Sequence, residues 1–327
     1  MIEHIAYILV GITLLVWSAD RFTDGAAAVA QNFGVSRLIV GLTIVAIGSS
    51  APEIFVSILD SFKTCPPGVD ECGPEVAIGN ALGSNITNVA LVLGITALVR
   101  PLMINSGVIK REVPILMLVS MVVLYFFWDL RLSHVEGAIL LTSLVAYFIW
   151  LVHMGIKSRE TNDRMLEEIV DELPEKMSNP KAFFWLILGL LLLLASSKIL
   201  IVGASGIALQ LGVSETLIGL TIVALGTSLP ELAASISAVL KNEHEIAIGN
   251  IIGSNIFNLL GVLGIPALIA APVVENEILT IDYPVMLALS IALAIMAYGL
   301  RGPGKINRIE GAILLAAFIG YYIVRVF

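Results

Sequence analysis

Charge is scarce in this sequence. Only 13% of its 327 residues are Asp, Glu, Lys or Arg, against 58% apolar, and the mean hydropathy is +0.97. Soluble domains carry about 25% charged residues, so the soluble globular class is excluded and an integral membrane protein is expected. The 18 basic residues form no long run, which excludes a nucleic-acid partner. Cysteine (two) and histidine (four) are almost missing. His4, His134, His153 and His244 all fall near the ends of apolar spans, so a zinc or copper site is not expected. No HExxH, no paired intramembrane aspartate and no helix-embedded His or Lys base for Ser49 or Ser50 occurs, so the enzyme class is excluded as well. The first apolar stretch, Ile5 to Trp17, has no basic cluster before it and no small-residue cleavage site after it, and reads as a retained span.

What the sequence does have is long apolar runs. At about 20 residues per crossing, ten spans are expected near 5–30, 36–60, 76–99, 112–128, 134–156, 181–210, 215–240, 246–270, 281–300 and 307–326. The fold class is therefore all-α and polytopic, with ten transmembrane helices. The widest break, 157–180, is charged and contains Pro174 and Pro180. It reads as a solvated linker between two five-helix halves, 1–156 and 181–327.

The halves repeat one another. GLTIVAIGSSAPEI at 41–54 returns as GLTIVALGTSLPEL at 219–232, identical at 10 of 14 positions, and AIGNALGSNITN at 77–88 returns as AIGNIIGSNIFN at 247–258, identical at 9 of 12. EGAILL recurs at 136–141 and 310–315. Five spans per half make the second copy enter from the opposite side, an inverted-topology repeat. Alternating the loops between two sides puts 13 basic residues on one, among them Arg37, Arg100, Lys110, Arg111, Lys241 and Arg308. Only Lys63, Arg131 and Arg325 fall on the other. By the positive-inside rule the 157–180 loop is cytoplasmic and both termini lie outside. Cys65 and Cys72 then share an outside loop, where a disulfide closing the Pro-Pro-Gly turn is expected; two free thiols are the alternative.

Glu53 and Glu231 fall near the middle of their spans, at equivalent points of the two copies. An unpaired carboxylate at that depth costs on the order of 3 kcal/mol or more, so a duplicated one argues for a bound cation. Pro52 and Pro230 each remove a helical donor. The carbonyls of the preceding turns, Ala46–Ser49 and Ala224–Thr227, are then expected to be free and to face a cavity. Ser49, Ser50, Thr227 and Ser228 add hydroxyls. Asn80, Ser84 and Asn88 recur every four residues along one helix face, as do Asn250, Ser254 and Asn258. Gly79, Gly83, Gly249 and Gly253 are expected to let those helices approach the bent ones closely. The set is all oxygen, the ligand class of Ca²⁺ and Na⁺. One Ca²⁺ neutralises two carboxylates, and Na⁺ ions satisfy the same oxygens in another geometry, so the two fillings compete, as an antiporter needs. A channel would need weak binding at several sites in an open pore. Asp20, Arg21, Asp24 and Lys198 lie off the repeated motifs and are expected to be ion pairs or snorkelling groups.

GSSAPEI with GNALGSNITN, and GTSLPEL with GNIIGSNIFN, closely resemble the two alpha repeats of the cation/calcium exchanger superfamily, specifically its prokaryotic sodium/calcium antiporters. The resemblance covers all ten spans. It implies alternating access, electrogenic exchange of about three Na⁺ for one Ca²⁺ in the cell (inner) membrane, no cofactor and no obligate protein partner. Position by position, it implies ion ligands at Glu53 and Glu231, Ser49, Ser50, Thr227 and Ser228, the carbonyls of Ala46 and Ala224, Ser84 and Ser254, with central polar positions at Asn88 and Asn258. Some relatives have aspartate in place of Asn258, potassium-dependent ones among them, so the amide argues against K⁺ co-transport. Proton-coupled Ca²⁺ exchangers are the alternative branch. They carry a glutamate after Gly-Asn, where this chain has Ala81-Leu82 and Ile251-Ile252.

Overall fold

The computed structural model describes residues 2–62, 75–104, 108–166, 177–212, 222, 224–298 and 304–326. Cys65 and Cys72, and with them the expected disulfide, lie outside the described residues, as do 167–176 of the linker and 213–221 at the head of the seventh expected span.

In lipid a backbone can satisfy its own polar groups only internally, and the described part of every expected span is helical. In chain order the helices are α1 (Ile2–Phe33), α2 (Arg37–Ser49), α3 (Ala51–Ser61), α4 (Val76–Val99), α5 (Val113–Phe126), α6 (His134–Leu166), α7 (Asn179–Gln210), α8 (Ala224–Thr227), α9 (Leu229–Leu240), α10 (His244–Ala270), α11 (Ile278–Tyr298) and α12 (Arg308–Val326). Six of them (α1, α4, α6, α7, α10 and α11) are each long and apolar enough to cross a membrane, and α2 with α3 makes a seventh if that broken pair is one span. The chain is a mainly helical, polytopic membrane protein. One boundary differs from expectation: α6 runs on through the start of the linker to Leu166 instead of ending at residue 156.

The chain divides into two compact units, Met1–Ser49 with Tyr147–Asn250, and Ser50–Ala146 with Ile251–Phe327. Each unit draws on both sequence halves.

In the first unit α1 and α7 pack along their lengths. Trp17 meets Trp185 edge-on at 6.0 Å and Phe33 meets Phe183 at 5.7 Å. Gly25 and Gly189 bring the backbones together: a Cβ at Gly25 would lie 2.4 Å from Leu186 N, and one at Gly189 2.6 Å from Phe22 N. As α1 numbers rise the partners on α7 fall, so the first span of each half runs antiparallel to the other.

The turn after α9 is clamped from two directions. Lys241 Nζ reaches Asp20 Oδ1 at 2.7 Å, the Asp20 carbonyl at 2.7 Å and Asp24 Oδ1 at 2.6 Å, all on α1. Arg37 Nε lies 3.0 Å from Glu243 Oε2. Asp20 and Asp24 are thus ion-paired, as the sequence suggested. Arg21 lies over the rings of Trp185 and Trp17 at 5.2 and 5.9 Å, and Lys198 is exposed on α7. Burial raises the Glu243 pKa above its ordinary 4.5, and the Arg37 guanidinium only partly opposes it. A carboxyl that binds its proton more tightly when folded stabilises the fold below its ordinary pKa, and that contribution is lost as pH rises through the folded value. Glu243→Gln is therefore expected to remove a fall in melting temperature that the unsubstituted protein shows as pH climbs from 4.5 through the mildly acid range. A pH profile of thermal unfolding checks this, and an unchanged profile would contradict it.

In the second unit the connectors between spans pair with one another. Leu102–Met103 (β1) lies antiparallel to Lys305–Ile306 (β2), with Leu102 opposite Ile306 and Met103 opposite Lys305. The pairing recurs elsewhere in the unit as an antiparallel bridge between Arg131 and Val273, with Leu132 N donating to Pro272 O at 3.0 Å and Val274 N to Leu130 O at 2.8 Å. Leu102 and Pro272 are separated by the same 170 residues as the second motif and its copy, and Leu132 and Ile306 by the same 174 as the two EGAILL segments. The internal repeat is thus written into the backbone pairing. It shows again in π-helical turns at Asn88–Leu93 and Asn258–Val262, and at Val108–Glu112 and Ile278–Asp282.

Candidate functional site

The two Glu motifs break their helices at the same place. Ser50 (φ −83°, ψ 12°) separates α2 from α3 and Ser228 (φ −88°, ψ 4°) separates α8 from α9. Pro52 and Pro230 fall in the first turn of the new helix, where a missing N–H is unneeded and a fixed φ is already right. Each glutamate follows its proline and is 1% exposed.

In the first unit Asn250 joins the motifs. Its Nδ2 donates to the Glu231 carbonyl at 3.3 Å and to Ser235 Oγ at 3.0 Å, and its Oδ1 accepts from Ser49 Oγ at 3.0 Å. Ser49 Oγ also lies 3.4 Å from the Ala46 carbonyl. Ser49, Thr227, Ser228 and Ala46 are buried with them, and Ala224 is the first residue of α8. The helices meet through Gly41 and Gly249: a Cβ on Gly249 would stand 2.7 Å from Leu38 O, and one on Gly41 2.7 Å from Ile246 O.

The second unit repeats the arrangement around Glu53. Asn80 Nδ2 donates to the Glu53 carbonyl at 3.2 Å, and Ser84 Oγ lies 3.5 Å from Glu53 Oε1. Ser50, Asn88, Ser254 and Asn258 are buried in this unit. The side-chain oxygens of Asn88, Ser254 and Asn258 make no hydrogen bond among the described residues. Buried polar oxygens are ordinarily paired, so these are oxygens with capacity for a ligand.

Three details depart from the sequence reading. The carbonyl four residues before Pro230, Gly226 O, does not stay open: Ser197 Oγ of α7 donates to it at 2.7 Å. Asn80 and Asn250, read as coordination groups, spend their NH₂ donors on the glutamate carbonyls and so hold the backbone of the breaks. Of the glycines, Gly249 makes the close approach, whereas a Cβ at Gly79 or Gly83 would meet no described atom within 4 Å. Ser235, Ser197, Asn85 and Asn255 were not singled out. A signal for the first existed, since Glu-x-x-x-Ser recurs as Glu53–Ser57 and Glu231–Ser235.

Among the described residues no group of three or more His, Cys, Asp or Glu side chains could hold a metal. What each unit offers is one carboxylate set among hydroxyl, amide and carbonyl oxygens, a donor set for hard cations and unsuited to soft ones.

Comparison with known proteins agrees with this chemistry. The family model described as sodium/calcium exchanger protein matches residues 3–153 and 181–327. A putative antiporter CaxA of Alkalimonas amylolytica is 48% identical over 98% of both chains, and the inner membrane protein YrbG of Escherichia coli is 39% identical over 98% of this chain and 95% of its own. The structure of the sodium-calcium exchanger NCX_Mj soaked with 2.5 mM Na⁺ and 0.1 mM Ca²⁺ superposes with a TM-score of 0.82 at 31% identity, covering 99% of this chain and 98% of that one. With two oxygen-lined glutamate breaks in a repeated helical membrane fold, and matches that span nearly its whole length, the chain belongs to the sodium/calcium exchanger family and is a transporter of the cation/Ca²⁺ exchange type.

Proposed function

We propose that this protein is an electrogenic antiporter that exchanges Na⁺ for Ca²⁺ by alternating access, in the cell (inner) membrane. The observation that carries the reading is the duplicated break: Glu53 with Asn80 and Ser84, and Glu231 with Asn250 and Ser49, each glutamate buried beside hydroxyl and amide side chains. Glu53 and Glu231 supply one negative charge each, and Ca²⁺ carries two positive ones. Ser49, Thr227, Ser228 and the carbonyls of Ala46 and Ala224 supply neutral oxygens in the first unit, and Ser50, Ser84, Ser254, Asn88 and Asn258 in the second. Na⁺ competes for the same atoms. At about three Na⁺ per Ca²⁺, one net charge moves per cycle, worth about 2.3 kcal/mol per 100 mV of membrane potential. The name of the NCX_Mj neighbour supports the ion pair, and the relative named as an inner membrane protein supports the location.

Ten crossings in two inverted halves, 1–156 and 181–327, joined by a cytoplasmic 157–180 segment, fit the contacts within each unit. The Leu102–Met103 pairing with Lys305–Ile306 needs an even number of crossings between them, and six spans are expected there. The Arg131–Val273 bridge has four between its partners, and the Arg37–Glu243 ion pair has six. These parities support the grouping of loops by side, and the excess of Lys and Arg on one side makes it the cytoplasmic one, with both termini outside.

Proteoliposomes loaded with Na⁺ and diluted into Na⁺-free buffer are expected to take up ⁴⁵Ca²⁺, faster under an imposed interior-positive potential, because about three Na⁺ leaving for one Ca²⁺ entering carries one net positive charge out. Equal uptake driven by a pH gradient without Na⁺ would replace sodium coupling by proton coupling.

A further inference from the structure

Asparagines 85, 255 and 258, all in the second unit and all at most 2% exposed, form a directional chain. Asn258 Nδ2 donates to Asn85 Oδ1 at 3.1 Å, and Asn85 Nδ2 donates to the Asn255 carbonyl at 3.2 Å, with Met286 Sδ at 3.7 Å from the same nitrogen. The direction is fixed by chemistry. A backbone carbonyl and a thioether can only accept, so both groups facing one end of the Asn85 amide require its NH₂ there. Its oxygen is then left facing residue 258, and Asn258 has to answer with its own NH₂.

Asn255 lies in the helical turn before the π-helical turn Asn258–Val262, in which Leu263 N bonds to Asn258 O at 3.0 Å. A backbone carbonyl has two lone pairs, so the Asn255 carbonyl can accept the Asn85 N–H beside a helical bond. At the repeat-related positions, Asn88 and Asn255, the chain is not formed: Asn88 Oδ1 and both amide atoms of Asn255 are buried without a hydrogen bond among the described residues.

We propose that Asn85 is a positioning residue for ion binding: by pinning the Asn258 NH₂ on its own side it keeps Asn258 Oδ1 turned away, so that position 258 presents a hard cation with the amide oxygen and not the NH₂. The proposal rests on the reading that residue 258 faces a transported cation. Its consequence is specific to amides. An amide without its anchor can turn over and set N–H hydrogens against a cation, whereas a hydroxyl has its oxygen available in any rotamer.

The test is the Ca²⁺- and Na⁺-induced rise in melting temperature of the purified full-length protein, read as the ion concentration giving half the maximal rise. Asn85→Leu is expected to raise that concentration about ten-fold, the size of a lost contact between a polar group and a charge. In an Asn258→Ser background the same substitution is expected to change it less than two-fold. If Asn85→Leu is not recovered folded, Asn85→Ala takes its place in both backgrounds. An unchanged half-maximal concentration in the single variant, or an equal loss in both backgrounds, overturns the positioning role. A protein whose unsubstituted form is not shifted by either ion would instead overturn the exchange reading on which the proposal rests.

Discussion

Glu53→Gln or Glu231→Gln, each made alone, is expected to abolish Na⁺-driven ⁴⁵Ca²⁺ uptake while leaving the protein folded. Glutamine keeps the shape and the hydrogen-bonding reach of glutamate, and the contacts made by the backbone at these positions, Asn80 to the Glu53 carbonyl at 3.2 Å and Asn250 to the Glu231 carbonyl at 3.3 Å, are indifferent to the side chain. What disappears is charge. Two unit charges 4 Å apart attract by about 4 kcal/mol at an effective dielectric constant of 20, and a divalent cation doubles the interaction. Even a quarter of the doubled figure, about 2 kcal/mol, weakens binding roughly thirty-fold, and the full loss puts Ca²⁺ affinity beyond any concentration in the assay. The stability of the ion-free protein is expected to stay level or rise, because a carboxylate at 1% exposure carries a desolvation cost that the amide avoids. The two measurements separate the causes: uptake lost with an intact melting transition marks an ion ligand, whereas both lost together would mark a structural residue. Asp20→Asn serves as the comparison. Asp20 is ion-paired to Lys241 at the far turn, half-exposed at 47%, and exchange in that variant is expected to persist. Wild-type uptake in either glutamine variant would refute the assignment.

Much of this was legible because lipid leaves the chain few choices. Apolar runs longer than a span have to be helical, and apart from the extension of α6 to Leu166 the described helices stand where the hydropathy put them. A proline directly before Glu53 and Glu231 announced a break, and the breaks fall at Ser50 and Ser228. The internal repeat was readable from spacing alone, and the paired connectors Leu102–Met103 with Lys305–Ile306 and Arg131 with Val273 recur at the same offsets. Less legible was which oxygen would satisfy which donor. Asn80 and Asn250 looked like coordinating groups because they share a helix face with Ser84 and Ser254, but period alone cannot say whether an amide spends its donors on a backbone carbonyl. Nor could it show that Ser197, from a helix outside the repeated motifs, would cap Gly226 O. The Asn258–Asn85–Asn255 chain depends on which way each amide is turned, and the direction of an amide leaves no mark on an apolar pattern. Compact units that mix the two halves were likewise invisible, since the repeats speak of ancestry in the sequence and not of packing.

Gly249→Ala is expected to lower the melting temperature and to reduce exchange at least ten-fold, although a methyl group is all that it adds. The reason is where the methyl goes. A Cβ at Gly249 would stand 2.7 Å from Leu38 O and 3.0 Å from the Cα of Gly41, and the reciprocal Cβ at Gly41 would stand 2.7 Å from Ile246 O. These are backbone atoms of packed helices and cannot rotate away as a side chain would, so α2 and α10 have to separate by several tenths of an ångström. Overpacking of this kind costs about 1–3 kcal/mol, which outweighs the gain of up to about 1 kcal/mol from replacing glycine by alanine within a helix. The functional loss follows from the next residue. Asn250 holds Ser49 Oγ at 3.0 Å across the same contact and the Glu231 carbonyl on its other side, so separation lengthens the hydrogen bonds that fix one of the two breaks. Valine at 249 would carry two further methyls into the same gap and is expected to prevent recovery of folded protein. Gly320→Ala gives the opposite sign: a Cβ on this exposed residue of α12 meets no described atom within 4 Å, so only the helix-propensity gain remains and the melting temperature should hold or rise. If Gly249→Ala behaved like Gly320→Ala in both thermal unfolding and ⁴⁵Ca²⁺ uptake, the close helix contact at Gly41 and Gly249 would not be what sets the position of Asn250.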